Sequence, residues 1–203
     1  CAMKTLVITG GIGSGKSVVC RYFASKGIPV YDSDSRTKEL YDTDYNLVST
    51  IESAMGRKVT DDSGRIDRKA LSSVIFSSPE KLSILESIVH PAVKSDFISW
   101  RNACHDVPFV VMESAIVLEK PLFNDISDKV LLVDAPFETR LQRACKRDGT
   151  DRNAIMSRME NQKLLNDISN GKTRPMVDFL IVNDSDMDSL LRQADCVYDS
   201  FCI

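Results

Sequence analysis

Gly10-Gly11-Ile12-Gly13-Ser14-Gly15-Lys16-Ser17 follows directly on the apolar run Leu6-Val7-Ile8. The octapeptide satisfies G-x-x-x-x-G-K-[ST], the signature of a phosphate-binding loop between a strand and a helix. Its glycines let the backbone take conformations closed to residues with a Cβ, so successive N–H groups can turn toward one anion. Lys16 brings an ammonium to the β and γ phosphates of a nucleoside triphosphate, and Ser17 offers a hydroxyl to Mg²⁺. The helix that starts here adds the positive end of its dipole. Val18, Val19, Tyr22 and Phe23 give the following segment one apolar helical face, which separates this junction from a glycine-rich turn without a ligand.

Outward from the loop, Leu6 to Thr9 reads as the first strand. The first helix runs to about Lys26, with Gly27 as its left-handed cap. Ile28-Pro29-Val30-Tyr31 reads as a second strand ending at Asp32-Ser33-Asp34. In open α/β sheets ligands gather beyond the carboxyl ends of the strands, so these carboxylates are expected to face the crevice of the phosphate loop. Asp34 is the preferred acceptor for the proton of an attacking hydroxyl, while Asp-Ser-Asp also suits a cap for a helix through Leu40.

From about Asp44 to Cys104 the apolar spacing is helical: Leu47, Ile51 and Met55, then Leu71, Val74 and Ile75, then Leu82, Leu85 and Val89, then Val93, Phe97 and Trp100. Ser78-Pro79 starts one helix and His90-Pro91 marks a break before the next. About 60 residues of helix exceed the dozen or so that a sheet crossover needs. The segment is therefore expected to hold a substrate.

Phe109-Val110-Val111-Met112-Glu113 and Val130-Leu131-Leu132-Val133-Asp134 are apolar runs ending in an acid, as buried parallel strands would be. Either acid suits a Mg²⁺-bound water, Glu113 being preferred because Asp134-Ala135-Pro136 equally well introduces a helix. Arg140, Arg143 and Arg147 recur at three and four residues, so one helical face is expected to present them together, either to solvent or to the charge that phosphoryl transfer develops. Phe179-Leu180-Ile181-Val182 reads as a last strand, before a helix carrying Leu190, Ala194, Val197 and Phe201. Five β-runs alternating with helices describe an α/β fold with a doubly wound, parallel five-stranded sheet of the P-loop NTPase kind, with a helical insertion and a helical lid.

A chain of 203 residues, 43% hydrophobic, can bury a core, and one domain with an insertion suits it better than two equal domains. The net charge of −3 gives no electrostatic case for a nucleic-acid partner. No apolar run approaches membrane-spanning length and the start lacks the plan of a signal peptide, so the expected setting is cytoplasmic, with no membrane partner. Cys1, Cys20, Cys104, Cys145, Cys196 and Cys202 are scattered and read as buried thiols rather than disulfides or metal ligands. Cys1-Ala2, ahead of Met3, reads as a cloning remnant.

The longer motifs resemble the dephospho-coenzyme A kinase family. They are Thr9-Gly-Gly-Ile-Gly-Ser-Gly-Lys-Ser17, Ile28-Pro-Val-Tyr-Asp-Ser-Asp34 in place of the usual Asp-Ala-Asp, and Gly64-Arg-Ile-Asp-Arg68 with Leu71 and Phe76. Leu85-Glu-Ser-Ile-Val-His-Pro91, Val133-Asp-Ala-Pro136, Arg143, Arg147-Asp148, and Arg158 with Gln162 complete the match. The resemblance implies transfer of the γ-phosphoryl of ATP, with Mg²⁺, to the ribose 3′-hydroxyl of dephospho-CoA. It implies ATP phosphates on Gly11, Gly13, Ser14, Gly15, Lys16, Ser17 and Val18. Asp34 and Lys16 stand as catalytic residues with the lid arginines Arg143 and Arg147. Thr9, Asp32, Lys38, His90, Glu113 and Arg158 stand on the acceptor side, and the metal on Ser17 with Asp34 or Glu113 through water. The implied domain is residues 3–203, with a core at 3–43 and 105–203, a CoA-side helical insertion at about 44–104 and a lid at about 140–165. Two departures are Lys38 as the basic residue after Asp-Ser-Asp, and Ala115 where the family usually has proline. Another small-molecule P-loop kinase and a nucleotide-dependent switch protein are the rival readings, and the oligomeric state is left open.

Overall fold

The computed structural model describes residues 3–172 and 177–202. The chain forms two compact units, one of residues up to Tyr31 and from Cys104 onward, the other Asp32–Ala103.

In the first unit, five strands lie in the order β2-β3-β1-β4-β5: β1 Lys4–Thr9, β2 Val30–Asp32, β3 Phe109–Glu113, β4 Lys129–Asp134 and β5 Phe179–Val182. The pairs β1–β3, β1–β4 and β4–β5 are parallel. Only β2 starts later than expected, because Pro29 has no N–H for a ladder, although its carbonyl accepts from Val111 N at 2.9 Å. The core packs α1 (Lys16–Ser25) and α9 (Met187–Cys202) against Leu6, Ile8, Phe109, Val111, Leu131, Val133 and Ile181. Phe23 meets Phe109 edge-on at 6.3 Å and is fully buried, which contributes about 1.5–3 kcal/mol. The alternate residues Val7, Val110, Met112 and Leu132 are buried as well, which explains runs without a polar face. After β4 come α6 (Phe137–Asp148), α7 (Arg152–Glu160) and α8 (Lys163–Ser169). The stretch containing Ala115 leads into single 3-10 turns at Val117–Glu119 and Pro121–Phe123.

The second unit is helical: α2 Ser33–Thr43, α3 Tyr45–Met55, α4 Arg68–Phe76 and α5 Pro79–Ala103. It begins at Asp32, not at 44 as the sequence suggested. The reason is that α2 packs on α3 and α5, and Arg36 makes a two-pronged pair with Asp96 at 3.0 and 2.8 Å. The break expected at His90-Pro91 does not occur. Pro91 lies inside α5, whose face of Leu85, Val89, Val93 and Phe97 is buried on both sides of it. That continuous burial outweighs one missing backbone bond.

The thiol expectation holds in part. Cys20 is buried, Cys104 and Cys145 are half-buried, and Cys196 and Cys202 are exposed, none of them in a disulfide. The two exposed thiols lie off the apolar stripe of α9. Cys1 lies outside the described residues.

Candidate active site

The parallel register sets Ile8 of β1 opposite Glu113 of β3. The chain leaves β1 one residue after Ile8 to form the phosphate loop, so the loop and Glu113 emerge together at the carboxyl ends of adjacent strands. The loop's turn requires φ of +75° at Gly13 and +100° at Gly15. Gly15 also caps α1 without any side-chain bond, and no acid sits in the first turn. The main-chain amides of Gly13, Gly15, Lys16 and Ser17 donate to nothing among the described residues. An uncapped, uncompensated helix N-terminus with a row of unengaged donors is an anion site.

Lys16 Nζ lies 3.8 Å from Glu113 Oε1, which accepts a 2.5 Å hydrogen bond from Ser17 Oγ. A hydroxyl and a carboxylate in contact are the hard oxygen donors that Mg²⁺ takes, with nucleotide phosphates and water completing its shell. Among the described residues no cluster of three or more His, Cys, Asp or Glu side chains forms a metal cage. Asp134, the alternative acid, accepts from Ser169 Oγ at 2.8 Å through its carboxylate and from Asn183 N at 2.7 Å through its main-chain carbonyl. It does not cap α6, whose N-cap residue is Pro136, without a side-chain bond.

A cleft of about 300 Å³ is lined by the expected loop residues Gly11, Gly13, Ser14, Gly15, Lys16, Ser17 and Val18, together with Arg143 and Arg147 of α6. Arg21 and Ala144 also line it and were not anticipated. Arg143 donates to Asn183 O at 3.2 Å and Asn183 Oδ1 at 3.4 Å, and Asn183 Nδ2 donates to the Ser14 carbonyl at 2.8 Å. Arg147 donates to both carboxylate oxygens of Asp148, at 2.6 and 3.1 Å, and Arg158 joins the same carboxylate at 3.0 Å. The Arg147 bond, then the Arg158 bond, holds the Asp148 carboxyl below its ordinary range against the opposing effect of desolvation. Gln162, quoted in the sequence motif without a role, accepts from the Ile12 amide at 2.9 Å.

Arg140 departs from expectation. It does not share a presented face with Arg143 and Arg147 but is 1% exposed. Positions 140 and 147 lie on one side of the helix, yet Arg140 sits buried against Gly11 and Gly13 while Arg147, near the end of α6, lines the cleft. Thr9 is fully buried, with no hydrogen-bond partner for its hydroxyl among the described residues.

The remaining candidates belong to the helical unit. Asp32 caps α2, accepting from the amides of Asp34 and Ser35 at 3.0 and 3.2 Å and from Ser35 Oγ at 2.7 Å. That uses both of its oxygens and leaves Asp34, exposed in the first turn, as the carboxylate not engaged in capping. Lys38 is exposed on the same helix and His90 is half-buried in α5.

A family model described as dephospho-CoA kinase matches residues 5–189. The dephospho-CoA kinase of Porphyromonas gingivalis is 42% identical over 161 residues, covering 79% of this chain and 78% of its own length. Among solved structures, TT1252 from Thermus thermophilus superposes with a TM-score of 0.82 at 30% identity, covering 98% of both chains. The dephospho-CoA kinase from Campylobacter jejuni has a TM-score of 0.61 at 20% identity, covering 99% of this chain and 98% of its own, a likeness of fold.

Proposed function

Because the chain belongs to the dephospho-CoA kinase family, we propose that it transfers the γ-phosphoryl group of ATP to the ribose 3′-hydroxyl of dephospho-CoA, giving CoA and ADP. The observation that carries this reading is the loop itself: four unengaged main-chain amides beside Lys16, at the head of a helix with no acid in its first turn. That arrangement suits a polyanion, and the contact of Ser17 with Glu113 beside it suits the metal ion that accompanies a nucleotide.

The roles follow from the chemistry of each group. The loop amides and Lys16 hold the triphosphate and take up charge as it develops on the transferring phosphoryl. Ser17 and Glu113 are the residues to hold Mg²⁺, which when bound neutralises phosphate charge. Asp34 orients the acceptor hydroxyl and takes its proton, a role supported by its exposure and by the engagement of Asp32 in capping. Arg143 and Arg147 stabilise negative charge from the cleft wall. Lys38, His90 and Arg158 serve the acceptor, whose anionic phosphates suit the two cations. Transfer is direct and in line, without a phosphoenzyme, so positioning supplies most of the rate. Among the described residues no helix is long and apolar enough to cross a membrane, in keeping with a cytoplasmic metabolic enzyme.

The test is an acceptor panel: nucleosides, nucleotides, small alcohols and dephospho-CoA, each with ATP and Mg²⁺ in an ADP-coupled assay. The highest kcat/KM is expected for dephospho-CoA. A better turnover with any other acceptor, or slow hydrolysis indifferent to all of them, refutes the proposal.

A further inference from the structure

Arg140 has no part in the scheme above, and its surroundings are unusual for an arginine. Nη2 donates to Asn166 Oδ1 at 3.3 Å, and the guanidinium stands 5.8 Å from the centre of the Phe137 ring. Nε and Nη1 are buried and find no hydrogen-bond partner among the described residues. Burial pushes the guanidinium below its ordinary range, opposed by the charge of Asp134. That carboxylate is itself bound to Ser169 and forms no ion pair with Arg140 among the described residues.

The unpaired edge faces the phosphate loop. A Cβ on Gly11 would lie 2.1 Å from Arg140 Nη1, and one on Gly13 would lie 2.1 Å from the Arg140 carbonyl. Two of the loop's glycines are therefore needed for the approach of α6 as well as for the turn. Gln162 braces the same spot through Ile12. A buried charge without a partner is costly, and its nitrogens remain unsatisfied until an acceptor arrives. Here the position lies against a loop whose own amides await an anion.

We propose that Arg140 is a fixed positive charge of the nucleoside-triphosphate site, with the bound phosphates as its counter-charge. Arg143 and Arg147 act from within the cleft; Arg140 acts from outside it, through the low-dielectric contact with Gly11, where Coulombic attraction is weakly screened. It is a positioning and electrostatic residue, not a catalytic one. The inference rests on the ATP-binding reading above and deepens it.

The test measures binding of ATP, ADP and adenosine to the full chain by calorimetry, for wild type and for Arg140→Met, Arg140→Gln and Arg140→Lys, with melting curves for each. If wild type fails to bind ATP, the kinase reading fails first. With wild-type binding established, both neutral variants are expected to lose about tenfold or more in ATP affinity, less for ADP and nothing for adenosine. The Lys variant stays within about threefold of wild type, because charge rather than fork geometry is what acts. Met and Gln each test the same loss, so failure of one to fold leaves the other. Wild-type ATP affinity in the neutral variants, whatever their melting temperatures, overturns the proposal. An equal loss in the Lys and Met variants overturns it too.

Discussion

Replacing Asn183 by alanine probes how the phosphate loop is held. Asn183 is 7% exposed, and its Nδ2 fills the space left by the missing side chain of Gly15, where a Cβ would lie 2.2 Å away. Alanine removes the 2.8 Å donor to the Ser14 carbonyl. That carbonyl then lacks its buried donor, which costs about 1–3 kcal/mol. For a chain of this length each kcal/mol shifts the melting temperature by about 2–4 °C, so a central loss of about 2 kcal/mol predicts a fall of about 4–8 °C. Arg143 keeps its 3.2 Å bond to the Asn183 carbonyl and loses the 3.4 Å bond to Oδ1. One weakened neutral-acceptor bond corresponds to about 0.5–1.5 kcal/mol, hence KM for ATP is expected to rise about two- to tenfold with kcat little changed. Differential scanning calorimetry and initial-rate kinetics on the same preparation read both effects. A melting temperature within about 1 °C of wild type, with unchanged KM, would show that neither the loop nor Arg143 depends on Asn183, contrary to the geometry.

Three further perturbations separate the roles of the acids. Glu113→Gln is expected to lower kcat about 10²-fold or more and to raise the Mg²⁺ concentration needed for half-maximal rate; an unchanged Mg²⁺ titration removes Glu113 from the metal's surroundings. Asp34→Asn is expected to lower kcat about 10²- to 10⁴-fold with KM for ATP unaltered, and near-normal turnover would end its assignment as base. The depressed pKa of Asp148, held chiefly by Arg147 and then by Arg158, gives stability that is complete above the ordinary carboxylate range and fades as pH falls through the folded-state value. Melting temperature should therefore be flat from neutral pH to about 5 and then decline, more gently in Asp148→Asn than in wild type.

Much of the fold is legible in the sequence because its constraints are local. A glycine required at positive φ, a lysine at a fixed step after it, and continuous apolar runs ending in Glu113 or Asp134 can each be read within a few residues. Both β3 and β4 neighbour β1, so strand order does not separate Glu113 from Asp134; what brings Glu113 to Ser17 is the register that sets it opposite Ile8. What escapes is long-range. Arg140 matches the spacing of Arg143 and Arg147, but its fate depends on which part of α6 lies over Gly11 and Gly13, a matter of tertiary packing. Asn183 stands 169 residues from the carbonyl it serves, and no periodicity signals such a contact. At His90-Pro91 a sound local rule loses to the burial of Val89, Val93 and Phe97 along one helix face. The boundary at Asp32 likewise depends on Arg36 meeting Asp96, a partner 60 residues away.

Phosphorus NMR of the reaction itself bears most directly on phosphoryl transfer from this loop to a ribose hydroxyl. With ATP, Mg²⁺ and dephospho-CoA, one new phosphomonoester signal coupled to the ribose 3′ proton should grow in step with ADP, and both should vanish in Lys16→Ala. Free phosphate accumulating in step with ADP while dephospho-CoA stays unchanged would contradict the account.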